Sequence, residues 1–442
     1  MSFVKKGLFT RALLLLATGL FLTILSCASS PDAYAPIDSN VKTGSYDKAL
    51  VSLEDEKGQA RKTIYTDKNE ILFYLDRGMI RHFAGMYRES SQDLETAEQL
   101  IEDAFTKSIT EGVGSYLAND NVKTYAGEDY EDLYVNVFNS LNYYHNGSLE
   151  GALVEVRRMN EKLLFLADRY QKAREKVRNS NKDITTEVES SQFSNSALAR
   201  YLGMLFYRGG GNPDGVRIDY GELVQAYSLA PAVYTNQIPS SVEEELSVPA
   251  GKGRLNIIAF TGLSPVKIQE SFHIPLPLPS PNDSARISLP KMIDRPPDIQ
   301  RAEAVLDSGE KIRLELIEDM GAVAKETFKN KFGLTVLKST ARAIGKAVAS
   351  AAASQAASSN DSGFGSLVGL AGRIYSEASE QADTRLSRYF PANALVGGIN
   401  LDPGIYNVTI NFYGSGGLVF SEVKEIPVRE RALNLVQSAC LK

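Results

Sequence analysis

The sequence predicts a multidomain α+β protein, in which an N-terminal domain of helical repeats precedes a C-terminal antiparallel β domain with a long helical hairpin. Three observations predict this class. Glycines recur between helical stretches in the first half of the chain, strand-like apolar runs begin after Pro231, and a long helical pattern, residues 322–379, interrupts those strands. We therefore assign residues 44–235 to the repeat domain and residues 236–442 to the β domain.

Residues 1–26 have the pattern of a bacterial lipoprotein signal peptide. Basic residues precede an apolar run, residues 12–25, which ends at Ser26 and Cys27. Cys27 stands where a lipobox places its acylated residue, so we expect acyl chains on this cysteine to anchor the mature chain. The alternative is a plain signal peptide or N-terminal anchor in which Cys27 is incidental.

The residues that follow the signal peptide indicate the location of the protein in the cell. Ala28, rather than an aspartate, follows Cys27, which favours the outer membrane in bacteria that sort lipoproteins by this residue. Residues 27–43 are small, polar and proline-containing, which is typical of a flexible tether. We therefore expect a lipid-anchored protein of the cell envelope, at the outer membrane and facing the periplasm.

The charge balance argues against nucleic acid as a partner. The chain has 48 basic and 54 acidic residues. Removing the signal, which holds three basic residues and no acidic ones, leaves 45 basic and 54 acidic residues, a net charge of −9. Nucleic acid requires a clustered basic face, and anionic lipid also attracts basic rather than acidic surfaces. Membrane attachment is therefore expected to come from the lipid on Cys27.

The sequence predicts neither a catalytic site nor a metal or cofactor site. It has three histidines, at positions 82, 145 and 273, with no spacing typical of zinc ligands and no Gly-x-Ser-x-Gly motif. If Cys27 is lipidated, Cys440 has no disulfide partner, and it is either a functional thiol or incidental near the C-terminus. We expect a protein that is not an enzyme.

Four glycines begin a recurring spacing in the repeat domain. They are Gly44, Gly85, Gly147 and Gly211. Each predicts the end of one helix through a positive φ, and the small or apolar residues five and nine positions later predict one face of the next helix. This spacing is the tetratricopeptide-repeat pattern. The alternative is a generic bundle of helical hairpins.

The same pattern nominates a binding groove. In tetratricopeptide repeats the first helix of each pair lines the concave face, which here places His82, Phe83, Tyr144, His145 and Arg208 in the groove. Aromatic and arginine side chains are effective anchors at interfaces. We therefore expect these residues to bind a protein or peptide partner, with packing between neighbouring helices as the alternative.

The β domain is predicted from its apolar patterns. Strands are expected at residues 254–260, 266–274, 302–306, 311–317, 405–412 and 418–428. In residues 405–412 every second side chain is apolar, so one face of this strand should lie on a core. The helical hairpin, residues 322–379, is rich in alanine and glycine, which suggests either membrane entry or oligomerisation, but basic residues interrupt it and favour a soluble hairpin.

Four stretches carry a resemblance to a known family. They are residues 119–163, 251–267, 380–385 and 401–408. They resemble a family of bacterial lipoproteins that carry tetratricopeptide-like repeats and have no established activity. The resemblance implies a lipid anchor and helical repeats, and it supplies no catalytic residues. In that family a tryptophan often follows the run that ends here at Arg385, whereas this chain has Leu386.

Together these patterns predict a membrane-anchored scaffold that binds a protein or peptide in the envelope. The alternative is an accessory component of envelope biogenesis or export, in which the C-terminal domain is the active part.

Overall fold

A computed structural model describes residues 30–110, 123–180, 189–275, 284–358 and 381–442. The helices are α1 (Ser30–Lys42), α2 (Tyr46–Glu54), α3 (Gln59–Thr63), α4 (Glu70–Phe83), α5 (Tyr87–Thr110), α6 (Asp129–His145), α7 (Leu149–Ser180), α8 (Ala197–Gly209), α9 (Pro213–Leu229), α10 (Ser240–Glu243) and α11 (Met320–Ser358). The strands are β1 (Gly253–Thr261), β2 (Val266–Pro275), β3 (Ser284–Ile293), β4 (Arg301–Leu306), β5 (Lys311–Asp319), β6 (Asn393–Leu401), β7 (Gly404–Gly414), β8 (Gly417–Val428) and β9 (Asn434–Cys440). The protein is thus an α+β protein with N-terminal helices and a C-terminal sheet. The signal peptide, Cys27 and the second arm of the helical hairpin lie outside the described residues.

Helical hairpins build the N-terminal half. Among the described residues four glycines turn one helix into the next, with φ of +73° at Gly44, +78° at Gly85, +83° at Gly147 and +71° at Gly211. After Gly85 the N–H of Met86 donates to the carbonyl of Arg81, and the same bond closes the other three turns. This is the Schellman ending of a helix, which needs the left-handed conformation that glycine adopts without strain. The predicted helix ends are confirmed.

The expected flexible tether is wrong for residues 30–42, because they form α1 and pack on the fold. Ala33, Tyr34, Ile37 and Val41 are buried. Their spacing places them on one face of a helix, and this face is stabilised by packing rather than by helix propensity. Composition alone does not predict this face, because small and polar residues separate its apolar positions.

The sheet lies against the helices. In the described part of the chain, seven strands pair in the order β8-β7-β4-β5-β6-β1-β9. All pairs are antiparallel except β1 with β9, which is parallel. The predicted apolar face of β7 is confirmed, since Val408, Ile410 and Phe412 have no exposed surface.

The sheet is curled, because its edge strands approach each other. The hydroxyl of Ser438 in β9 donates to Glu422 of β8 over 2.6 Å, and the Lys424 ammonium of β8 donates to the carbonyl of Gln437 over 2.7 Å. Strand β1 shows what each face of the curled sheet covers. Leu255 and Ile257 lie in a core inside the curl, whereas Ile258 and Phe260 belong to the core of the helices.

The core of the helices crosses the proposed domain boundary. It joins apolar side chains of residues 44–235 to Ile258, Phe260, Val396 and Leu435 of the sheet. Residues 44–235 and 236–442 therefore differ in secondary structure but share one core. Within the described ranges, helices that combine enough length with enough apolar character to cross a membrane are absent.

A hairpin of β2 and β3 stands apart from the main sheet and packs on α11. Ile287 and Leu289 of β3 form a small core with Ala343 of the helix, and Leu337 of α11 packs on Val177 of α7. The long helix predicted from residue 322 is confirmed as α11.

Candidate functional site

The face of the helical hairpins that carries His82, Tyr144 and His145 is covered by the chain's own C-terminal strand. The Tyr144 hydroxyl donates to the carbonyl of Leu433 over 3.2 Å, just before β9 begins. Within β9, the side chain of Gln437 lies between two histidines, 2.6 Å from His82 Nε2 and 3.2 Å from His145 Nε2. The terminal strand thus occupies the position that the sequence analysis assigned to a bound peptide.

His82 is a buried, neutral residue in this interface. Its ring has an exposed fraction of 1% and packs edge-on against Phe138 at a centroid distance of 4.9 Å. Burial lowers the pKa of His82 to about 3. The neutral ring donates from Nδ1 to Asn142 Oδ1 over 2.7 Å, which leaves Nε2 to accept from the Gln437 amide.

The remaining predicted groove residues also contact the sheet or its flanking helices. Phe83 packs against Phe260 of β1 at 6.2 Å between ring centroids. Arg208 donates to Glu245 over 3.0 Å and to Asn256 of β1 over 2.5 Å. The prediction that these side chains line an open groove is therefore wrong. The repeat spacing predicts which face of a helix is turned inwards. It does not predict which segment packs on that face, because that segment, β9, is distant in the sequence.

A segment without regular secondary structure, which we call the strap (residues 381–392), connects the sheet to the helices. The strap residue Ser387 donates its backbone N–H to Glu131 and its hydroxyl to Asp76, each over 2.6 Å. The next residue, Arg388, forms an ion pair with Asp38 of α1. The strap therefore fastens three helices to the sheet, and it contains part of the motif that carries the family resemblance.

Buried carboxylates hold these elements together. Burial raises the pKa of Asp76 to about 6 and that of Glu131 to about 7. A third, Glu318 of β5, accepts hydrogen bonds of 2.6 Å from the hydroxyls of Tyr134 and Tyr234, and burial also raises its pKa. These buried acids could not be predicted from the sequence, because charged residues are usually exposed and the partners of these three are distant along the chain.

The described residues contain no group of three or more His, Cys, Asp or Glu side chains placed to hold a metal ion. A polar cavity of about 290 Å³ lies between α5, α6 and α7, lined by Glu95, Glu98, Gln99, Glu102, Tyr143, Glu155 and Arg158. Neighbouring cations partly balance the negative charge of the lining carboxylates, since Glu98 pairs with Arg158 over 2.7 Å and with Lys162 over 2.6 Å.

Comparison of the chain with protein-family models, with curated proteins and with solved structures finds no match.

Replacing Asp76 with Asn should remove part of the pH dependence of stability. The folded pKa of about 6 lies above the ordinary value of 3.8, so stability from this group is complete below about pH 3.8 and is lost as the pH rises through 6. The loss is about 3 kcal/mol for the wild type. Asn keeps the acceptor for Ser387 and donates to Tyr65, whose hydroxyl can reverse its bond.

The measurement is chemical unfolding of both proteins between pH 4 and pH 7.5. Because the carboxyl of the unfolded chain is already about half ionised at pH 4, the difference between their unfolding free energies should shift by about 2.5 kcal/mol in favour of Asp76→Asn as the pH rises to 7.5. Asp214→Asn, at an exposed position, is the matched control and should follow the wild type. Parallel curves for Asp76→Asn and the wild type would show that the burial of Asp76 does not perturb its titration.

Proposed function

We propose that this protein is a lipid-anchored interaction protein of the bacterial envelope and that it is not an enzyme. In this proposal the acyl chains on Cys27 hold it at the outer membrane, facing the periplasm. The helical hairpins serve as the support of the C-terminal sheet, and the sheet presents the surface that a protein partner binds. This is the accessory-component function, in which the C-terminal part is the active one.

The observation that carries the proposal is that β1 and β9 cover the helices with one face of the curled sheet, while the same face stays exposed at β7 and β8. Residues Tyr144 and Arg208, which would anchor a peptide, are already bonded to the C-terminal half. A partner that binds the folded chain through these side chains would have to displace β1 as well as the segment at the start of β9. An exposed surface on the sheet requires no such rearrangement.

The open surface lies on the outward face of β7 and β8, and we call it the outer patch. It consists of Ile405 opposite Pro427, Tyr413 opposite Leu418, and Val423 between these pairs. Ile405, Leu418 and Val423 are 69%, 59% and 62% exposed. On the same face the polar pairs Asn407 with Glu425 and Asn411 with Ser421 separate these apolar positions. The outer patch is therefore a mixed surface, and such a mixture of apolar and polar side chains is typical of protein interfaces.

We also infer that the hairpins are tetratricopeptide-like repeats. The Schellman turns at the four glycines support this inference, and so does a close approach between the helices of one hairpin. A Cβ at Gly78 of α4 would lie 2.8 Å from the side chain of Leu94 in α5, so a larger residue does not fit without displacement. Small residues at this position let paired helices pack closely.

The double variant Leu418→Glu with Val423→Glu should lose the partner. Two carboxylates on the outer patch would have to be desolvated on binding, so we expect at least a tenfold lower yield of the partner. The measurement is cross-linking in intact cells, followed by affinity capture of the full-length protein and quantification of the recovered protein. Ile218→Glu on α9 is the matched control, since Ile218 is 66% exposed but lies on the helices.

Both variants should keep the wild-type melting temperature, because all three side chains are exposed. Unchanged recovery with the double variant would contradict the assignment of the outer patch. Loss with Ile218→Glu alone would place the partner on the helical surface instead.

A further inference from the structure

We propose that one end of the first helical hairpin faces the phospholipid surface in a fixed orientation. This end consists of the start of α1 at Ser30 and the adjoining residues 55–68, and we call it the membrane-proximal end. The inference rests on the proposed lipid anchor at Cys27. It adds to that proposal the identity of the surface that the anchor holds against the bilayer.

The link between the lipid and the fold is short. Cys27 and Ser30 are separated by two residues, so their Cα atoms lie at most about 11 Å apart whatever the conformation of the link. A flexible tether of the full expected length, residues 27–43, would have let the protein rotate freely far from the bilayer. The start of α1 at Ser30 removes most of that length.

α1 cannot extend the link without breaking contacts in the core. Tyr34, Ile37 and Val41 are buried, with exposed fractions of 8%, 0% and 1%. Asp38 in the middle of the helix pairs with Arg388 and accepts a hydrogen bond from the Tyr389 hydroxyl over 3.0 Å. Unwinding α1 beyond its first turn would expose this apolar face and separate the ion pair, so the helix is fixed relative to the fold from Tyr34 onwards.

Residues 55–68 lie at the same end of the hairpin as Ser30. The turn at Gly44 makes α1 and α2 antiparallel, which brings Glu54 at the end of α2 back towards the start of α1. The chain then forms α3 and reaches Tyr65, whose ring meets the ring of Tyr34 edge-on at 6.3 Å. Tyr34 is one helical turn from Ser30.

The charge of this segment is compatible with a bilayer that contains anionic phospholipids. Residues 55–68 carry four basic and three acidic side chains, a net charge of +1, whereas the mature chain carries −9. Lys57, Lys62 and Lys68 are exposed, and so are Asp55, Glu56 and Asp67, so the exposed charges of the segment nearly balance. The acidic remainder of the surface is repelled by anionic headgroups and this segment is not, so charge favours the same orientation as the short link.

Energy transfer to the membrane tests this orientation. The full-length lipidated protein is placed in vesicles of phosphatidylethanolamine and phosphatidylglycerol that contain an acceptor dye on a lipid headgroup. A donor dye is attached at Thr63→Cys, in the membrane-proximal end, or at Asp214→Cys, beside the turn of the last described hairpin, each with Cys440→Ala. Both sites are exposed. We expect at least twofold stronger quenching of the donor at position 63 than at position 214.

Insertion of 20 Gly and Ser residues between Ser29 and Ser30 is the matched control. It leaves the signal and residues 27–29 intact and should remove the difference between the two sites, because the fold can then rotate freely. Equal quenching at both sites in the protein with the native link would overturn the orientation. A difference that survives the insertion would show that the link does not set it.

Palmitate labelling and vesicle flotation separate this inference from the proposed function. If the wild type is labelled and floats but the sites are quenched equally, the fixed orientation fails and the anchor stands. If the wild type is not labelled, or if Cys27→Ser is labelled and floats equally, the anchor fails, and the orientation fails with it.

Discussion

Replacing Arg254 with Met should lower the free energy of unfolding by about 3–5 kcal/mol, one of the largest effects expected in this protein. Arg254 of β1 has no exposed surface. Its guanidinium donates to Glu245 over 2.5 Å, to Glu244 over 2.7 Å and to the carbonyl of Ser241 over 2.7 Å. Met fills much of the same volume but leaves the buried carboxylate of Glu245 with one cation, Arg208, and the carbonyl without this donor.

The measurement is unfolding in urea, with Lys172→Ala as the control. Lys172 pairs with Asp168 over 2.6 Å on the surface of α7, where the two side chains are 74% and 59% exposed. Its loss should change the unfolding free energy by no more than about 0.5 kcal/mol. A change below about 1 kcal/mol for Arg254→Met would contradict the burial and pairing of this arginine.

A second substitution separates the charge from the packing. In the Arg254→Met background, Glu245→Gln removes the charge that has lost its main partner, so part of the stability should return. In the wild-type background the same substitution should destabilise, because it weakens the bonds to Arg254 and Arg208. Equal effects of Glu245→Gln in both backgrounds would show that the two residues are not coupled.

This network explains why the helices hold the sheet rather than a peptide. Glu245 receives Arg208 from α8 and Arg254 from β1, while Asn256 of β1 donates to Glu245 over 2.6 Å. Removing the sheet would leave these groups without their partners. In the same way, removing the C-terminal segment would break the hydrogen bonds between Tyr144 and Leu433 and between Gln437 and His82.

Local features of the fold could be predicted from the sequence. The helix ends at the four glycines were predictable because the left-handed residue that ends a helix is most often glycine, whatever lies around it. The hairpin of β4 and β5 was predictable from the turn at Asp307–Glu310 between two apolar runs, and the structure pairs Ala302 with Leu314. In each case the residues that form the pattern lie within about ten positions of one another.

Distant contacts could not be predicted in this way. Gln437 and His82 are 355 residues apart, and nothing in either neighbourhood indicates the other. α1 was missed because its buried face of four residues depends on a partner surface that includes Arg388 of the strap. The residues predicted to line a groove, such as His82, Tyr144 and Arg208, contact the chain's own C-terminal half instead of a bound peptide, and these partners are distant in the sequence.

Replacing Phe260 with Ala should destabilise the helices and the sheet together, by about 3–5 kcal/mol. Phe260 of β1 has no exposed surface, and its ring lies 5.2 Å from that of Phe138 in α6 and 6.2 Å from that of Phe83 in α4. The cavity left by Ala opens in the core that both halves share. Because the cavity lowers the stability of both halves at once, unfolding should remain a single transition, with its midpoint at a lower denaturant concentration.

Hydrogen exchange distinguishes this outcome from two independent domains. In Phe260→Ala the backbone amides of α6 and of β1 should lose protection to the same extent, since both open in the same event. Phe165→Ala on α7 is the matched control, because Phe165 is 67% exposed and its loss should leave protection unchanged. If the amides of β1 lost protection while those of α6 kept wild-type values, the shared core would not be cooperative. Residues 44–235 would then fold as a domain of their own, and the face that β9 covers would be free for a partner whenever the sheet opened.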